Sequence, residues 1–199
     1  MKSINLPTSD VLKKRWQSLA MLDAILSPEW EYRYFSFDAS WAKGEQLGSM
    51  RNGQGSAMRC LFTDSGAVLS GFDIEQKKSA FALKPSDLPK ALEALATEPA
   101  FDNPDTTFCL YREKSASDWT KVGPSPKSHQ DKLLELLAMD TKGYIEWALG
   151  YYECVVPLDA VQHIFAIEPL TTQLVHSING HVNQRDVQKE AKDIGYPIS

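Results

Sequence analysis

The chain has no paired cysteines, no long apolar run and no excess of basic charge, and each lack removes a class of function. Its three cysteines, Cys60, Cys109 and Cys154, show no C-x-x-C spacing, so neither a disulfide framework nor a zinc-knuckle or thioredoxin-like motif is expected. Each lies in an apolar stretch (RCLF, FCLY, ECVV), where a free thiol behaves as a small hydrophobe, and a reducing, cytoplasmic compartment fits best. No apolar run nears the ~20 residues that span a bilayer. MKSINLPTSD carries no apolar h-region, so no signal peptide is expected either. Lysine and arginine number 21 against 26 aspartates and glutamates, a net charge of −5. Sequence-independent binders of nucleic acid or anionic membranes need a basic footprint, so neither partner is expected, whereas a protein partner is compatible.

Signatures of catalysis are lacking as well. The glycine-rich stretch GSMRNGQGSAMRC, residues 48–60, has the Gly48 to Gly53 spacing of a phosphate loop. Gln54 and Gly55 stand where that loop needs Lys and Ser or Thr, and strand-like AMRCLF follows where a helix is required. The dinucleotide fingerprint G-x-G-x-x-G fails too, because Ala57 and Met58 follow Gly55. The stretch therefore reads as a hairpin turn. No G-x-S-x-G elbow occurs, and no cysteine adjoins a histidine. His176 and His181 are five apart with Asn179-Gly180 between them, which breaks the geometry of a helical metal pair. No metal, cofactor or catalytic residue is expected.

What remains is a well-marked folding pattern in a chain of 199 residues, long enough to bury a core unaided. DVLKKRWQSLAMLDAILS reads as a helix capped by Ser9 and stopped by Pro28, with Leu12, Trp16, Leu19, Leu22 or Asp23, and Leu26 at three-or-four spacing. The aromatic run WEYRYFSFDASW reads as a strand buried on most of both faces. EQLGSMR, SAMRCLF and AVLSGFDIE continue it as a meander, through turns at Asn52-Gly53 and Asp64-Ser65-Gly66. SDLPKALEALA predicts a helix with Leu88, Leu92 and Leu95 on one face. TTFCLYRE and DWTKV predict two further strands, and GPSPKS a linker. Beyond it lie a capping-box-like Ser128 and Asp131, then KLLELLAM, YIEWALGYY, PLDAVQHIF, TTQLVHSIN and RDVQKEAKDIGYP, all helical. The fold class is α+β: an antiparallel meander of about 4–6 strands with an N-terminal helix and a mostly helical C-terminal part. Residues 1–122 form the helix-and-sheet region, and residues 128–199 the helical region, packed on the sheet as one compact domain.

Five residues are candidates for a binding surface: Arg51, Asn52, Arg59, Asp73 and Glu75. Asp73 and Glu75 are two apart, so on a strand both carboxylates face the same way, as acid–base or metal work requires. Arg51 and Arg59 join them on one face of the meander if the register aligns. Tyr144, Trp147, Ala148 and Tyr151 form an aromatic-rich stripe at helical spacing, expected in the core, with the lining of a ligand pocket or a partner groove as the alternative.

WEYRYFSFDASW, GEQLGSMRNGQG and LFTDSGAVLSGFDIE together resemble a set of uncharacterised bacterial proteins that share an aromatic strand, an MRNG turn and a GFD strand end. The resemblance covers the chain as far as Glu75, and the YIEW and PL stretches of the tail are similar in style. It implies a bacterial cytoplasmic origin and carries no catalytic residue. Small acidic α+β proteins of this type are also similar in kind to immunity proteins of bacterial toxin systems. The expected function is a non-enzymatic protein-interaction module. The alternative is an enzyme or small-molecule binder with its site at the sheet–helix junction.

Overall fold

The computed structural model describes residues 6–98, 105–123 and 130–199. The chain opens with helix α1 (Ser9–Leu26), whose N-terminus is closed by Thr8, one residue earlier than expected; its side chain accepts the Val11 N–H. The second half of α1, from Ser18 to Ile25, is buried without a break, so this helix lies inside the molecule rather than on its surface. Its polar residues there need partners. Ser18 Oγ donates to the Ile164 carbonyl at 2.9 Å, and Asp23 is taken up below.

The sheet follows. Strands β1 (Phe35–Ala42), β2 (Glu45–Arg51), β3 (Ala57–Thr63) and β4 (Gly66–Phe72) form the expected antiparallel meander. After β5 (Phe81–Ala82) and β6 (Asp105–Thr106), which pair with each other, β7 (Phe108–Glu113) and β8 (Thr120–Val122) complete a six-stranded sheet in the order β1-β2-β3-β4-β7-β8. The register places Ser36, Ser49, Arg59 and Ser70 in one row across four strands. Side-chain alternation then divides the faces. Phe35, Met50, Met58, Cys60, Phe62 and Leu69 face α1, while Leu47, Leu61, Val68 and Cys109 face the segment carrying Leu88, Leu92 and Leu95. Gly48 permits the close fit of α1: a side chain there would stand 2.5 Å from the Trp16 ring. The Trp16 indole Nε1 donates to the neighbouring Ser49 carbonyl at 3.3 Å.

Two elements differ from expectation. The aromatic run does not start as a strand: Trp30–Tyr32 is a short 3-10 turn, and β1 begins only at Phe35. The SDLPKALEALA segment is two 3-10 turns, Pro85–Asp87 and Lys90–Leu92, then a single helical turn, α2 (Ala94–Thr97). Pro89 disfavours the helical conformation at the preceding Leu88, which is extended at φ −119° and ψ 154°, yet Leu88, Leu92 and Leu95 are all buried together, as expected. Of the expected linker at residues 123–128 only Gly123 is described, and Ser128 of the expected cap lies outside the described residues, while Asp131 falls within the helix Gln130–Ala138.

The C-terminal helices are α3 (Gln130–Ala138), α4 (Thr141–Tyr152), α5 (Leu158–Phe165), α6 (Thr172–Ile178) and α7 (Gln184–Ile194). They surround α1, and one buried cluster holds Leu12 and Trp16 of α1, Phe35 and Met58 of the sheet, and Leu137, Tyr144, Ile164 and Val187 of these helices. Polar ties reinforce the arrangement: Arg15 Nη1 donates to the Met139 carbonyl at 2.8 Å, Gln17 Nε2 to Ile194 at 3.0 Å and Asn179 Nδ2 to Ile25 at 2.9 Å. Among the described residues no helix is long and apolar enough to cross a membrane.

Candidate functional site

The five residues singled out by sequence do not form one surface. Asn52 builds the hairpin turn: its Oδ1 accepts the N–H groups of Gln54 at 2.9 Å and Ser56 at 3.0 Å, while Gly53 supplies a φ of 69°. Arg51 and Arg59 do share a face of the sheet as diagonal neighbours, since Arg51 lies opposite Ala57 and Arg59 opposite Ser49. The carboxylates are not strand residues, because β4 ends at Phe72. Asp73 is buried and caps the 3-10 turn Ile74–Ser79, accepting the Glu75 N–H at 3.0 Å, while its own N–H donates to Thr107 Oγ1 at 2.9 Å. A short acidic side chain next to a free backbone N–H prefers this local closure to a strand, and Glu75 therefore leaves the sheet for an exposed position.

Arg51 belongs instead to a cleft of about 320 Å³ at the junction of sheet and helices. Its walls come from the turn after α1 (Glu31, Tyr32, Arg33), from the hairpin (Arg51, Gly53) and from the end of α4 (Tyr151, Tyr152). The 3-10 turn leaves Trp30 57% and Tyr32 60% exposed, large values for such side chains, and Tyr151 is 39% exposed. The Arg51 guanidinium stacks on the Trp30 ring, 3.6 Å from its centroid, and donates to the Trp30 carbonyl. Arg33 is 4% exposed, and each of its three guanidinium nitrogens has a partner: Nε donates to Ser27 at 2.8 Å, Nη2 to Pro28 at 2.7 Å, and Nη1 pairs with Glu190 of α7 at 2.7 Å.

Behind the cleft lies Asp23 of α1. Its carboxyl is completely buried, and Oδ2 accepts the backbone N–H groups of Tyr34 at 3.0 Å and Phe35 at 2.7 Å. The Tyr144 hydroxyl donates to Oδ1 at 3.4 Å, and Tyr152 also hydrogen-bonds the carboxyl. Burial pushes its pKa up to about 7, against the opposing pull of these hydrogen bonds. The same burial, with Asp23 alongside, raises the Tyr152 and Tyr144 hydroxyls well above the ordinary tyrosine range. Tyr152 is the link between Asp23 and the cleft: its side chain lines the cleft, and its hydroxyl also accepts the Tyr34 N–H at 3.3 Å. Around this group Tyr34, Trp147 and Tyr151 pack edge-on or stacked, with Trp147 and Tyr151 parallel at 5.3 Å.

The expected core stripe thus divides: Tyr144 and Ala148 are buried, while Tyr151 reaches the cleft. Asp23 was visible in the sequence only as an acid inside LAMLDAIL, at a position where the helical period asks for an apolar residue. Burial raises the thiol pKa of Cys60 and brings that of Cys109 to about 12, so both remain protonated and act as core residues. His163 is tied to its own loop, with Nδ1 3.1 Å from Glu168 Oε2 and Nε2 2.9 Å from the Pro169 carbonyl. Among the described residues no cluster of histidine, cysteine and carboxylate side chains is placed to hold a metal ion. The chain matches no protein-family model, no curated protein and no solved structure.

Proposed function

We propose that the protein is an interaction module of the bacterial cytoplasm that docks another protein on the surface formed by Trp30, Tyr32, Arg51 and Tyr151. One observation carries this reading: aromatic side chains that a strand would have buried stand in solvent and meet a guanidinium at a single cleft. Tryptophan, tyrosine and arginine are the residues most enriched among interface hot spots, because each adds large contact area and a polar tip. The free cysteines suit a reducing compartment, and the resemblance to bacterial proteins supplies the organism class.

The test is capture from a lysate of the host on immobilised wild-type protein and on the W30A/Y32A variant. Both substituted side chains are more than half exposed, so the variant keeps its fold, which circular dichroism verifies. A protein retained in stoichiometric amount by the wild type and lost on the variant supports the module. Retention unchanged by the substitutions, or no retention at all, overturns it.

A second reading, a small-molecule site at the sheet–helix junction, is favoured by the raised Asp23 carboxyl and its link to the cleft through Tyr152. Native mass spectrometry of protein isolated from its host separates the two. A bound small molecule selects the second reading, and a bound chain selects the first.

A further inference from the structure

Resting on the module reading, we propose that the partner inserts a C-terminal aromatic residue, with Arg51 pairing its terminal carboxylate and Tyr32 and Tyr151 flanking its ring. The cleft, at about 320 Å³, lies at the small end of ligand pockets, large enough for one aromatic residue with its carboxylate and too small for a folded element. Its charge is set by elimination. The Arg33 cation is buried and compensated by Glu190, and its Nε and Nη2 donate to backbone carbonyls, so it offers an incoming anion little. Arg51 is held differently. Trp30 takes one face of its guanidinium and one of its five donors, which fixes the group at the cleft wall before anything binds. A pre-positioned guanidinium pairs best with a planar two-oxygen anion, and a carboxylate is that anion in a protein partner.

The ring position follows from the remaining walls. Tyr32 and Tyr151 present aromatic surface, Tyr151 is braced by its stack on Trp147, and Gly53 contributes a wall without a side chain. Glu31 is the opposing feature: it is exposed on the same cleft and repels a carboxylate, so it weakens binding and limits which C-termini are accepted.

The experiment titrates three probes into ¹⁵N-labelled full-length protein, following the Trp30 indole N–H and measuring affinity by calorimetry. The probes are acetyl-Gly-Gly-Phe with a free carboxylate, its C-terminal amide, and acetyl-Gly-Gly-Ala with a free carboxylate. The Phe acid is expected to shift the Trp30 signal and to bind about tenfold more tightly than either other probe, the scale of one charge-assisted pair against the amide and of one buried ring against the alanine acid. R51Q is expected to erase the preference of acid over amide, and E31Q to tighten binding of the acid. Equal affinity for acid and amide, or no shift at Trp30 at millimolar probe, overturns the proposal. If host capture is still lost on W30A/Y32A but survives on R51Q, the module stands and carboxylate recognition falls. Loss of capture on both variants, with acid preference in the titration, supports both.

Discussion

Asp23 carries a proton at a pH where every solvated aspartate has lost its own. A carboxyl in the interior must either share its charge or stay neutral, and here the desolvation outweighs four hydrogen bonds. Its pKa is about 7 in the folded chain, against an ordinary 3.8. Below pH ~4 folded and unfolded forms are both protonated, so the full contribution of this group to stability is present. As pH rises toward 7 the unfolded form releases its proton and the folded form keeps it, so stability is lost across that window and levels off above it. Three pKa units correspond to about 4 kcal/mol, to order of magnitude. The facing groups, Tyr34, Tyr144, Tyr151 and Tyr152, all have raised pKa values and stay neutral throughout, so the effect belongs to Asp23. D23N keeps an acceptor for the Tyr34 and Phe35 N–H groups and offers the tyrosine hydroxyls an amide in place of the acid proton. Urea unfolding is therefore expected to find D23N close to wild type at pH 4 and several kcal/mol more stable at pH 7.5. A difference that stays constant with pH would show that Asp23 does not titrate in this way. At this scale the sequence was half legible: Arg51 was recognisable from its turn, whereas Trp30, Tyr151 and Asp23 converge only through the packing of α1, β1 and α4.

Helix and strand ends show which local signals survive folding. Thr8, Asp140, Thr171 and Asn183 each close a helix with a side-chain acceptor, and Gly195 ends α7 at a φ of 69°, all from residue types that announce such ends. The Trp30–Tyr32 turn is the counter-case. Its aromatics favour a strand, but Asp23 binds the N–H groups of Tyr34 and Phe35 and so fixes where β1 can begin. The residues between Pro28 and Arg33 must then bridge the gap, and tertiary geometry overrides propensity. The end of α4 departs from the rule in another way. Glu153 occupies the left-handed region, with φ 55° and ψ 29°, at an exposed C-terminal position where glycine is the usual residue. Glu153→Gly relieves that strain and loses no burial, so a gain of about 1 kcal/mol is expected, visible as a rise of a few degrees in Tm. An unchanged or lowered Tm would mean that the Glu153 side chain supports the α4–α5 connection.

At the level of the whole molecule, α1 is the element on which both halves of the sequence depend. One side of it is covered by β1 and the Trp16 contact with the sheet, and the other by α3, α5, α6 and α7. Its two-sided burial explains why an eighteen-residue helix shows only a broken apolar stripe in sequence: Ser18 and Asp23 are as buried as Leu19 and Ile25. It also makes the boundary near residue 123 one of sequence rather than of stability. A fragment ending at Val122 would expose the α1 surface now covered by Leu137, Ile164, Val175, Val187 and Ile194, and would leave the Ser18 hydroxyl and the Ile25 carbonyl without their partners Ile164 and Asn179. Burial of each such side chain contributes about 1.5–3 kcal/mol, so the five together account for about 7.5–15 kcal/mol, as much as the ~5–15 kcal/mol that a domain of this size has in hand. Fragment 1–122 is therefore expected to lack a cooperative thermal transition and dispersed amide signals, and to recover both when fragment 123–199 is added. A fragment 1–122 that folds cooperatively by itself would instead make the sheet region an independent domain, with the C-terminal helices as an attachment.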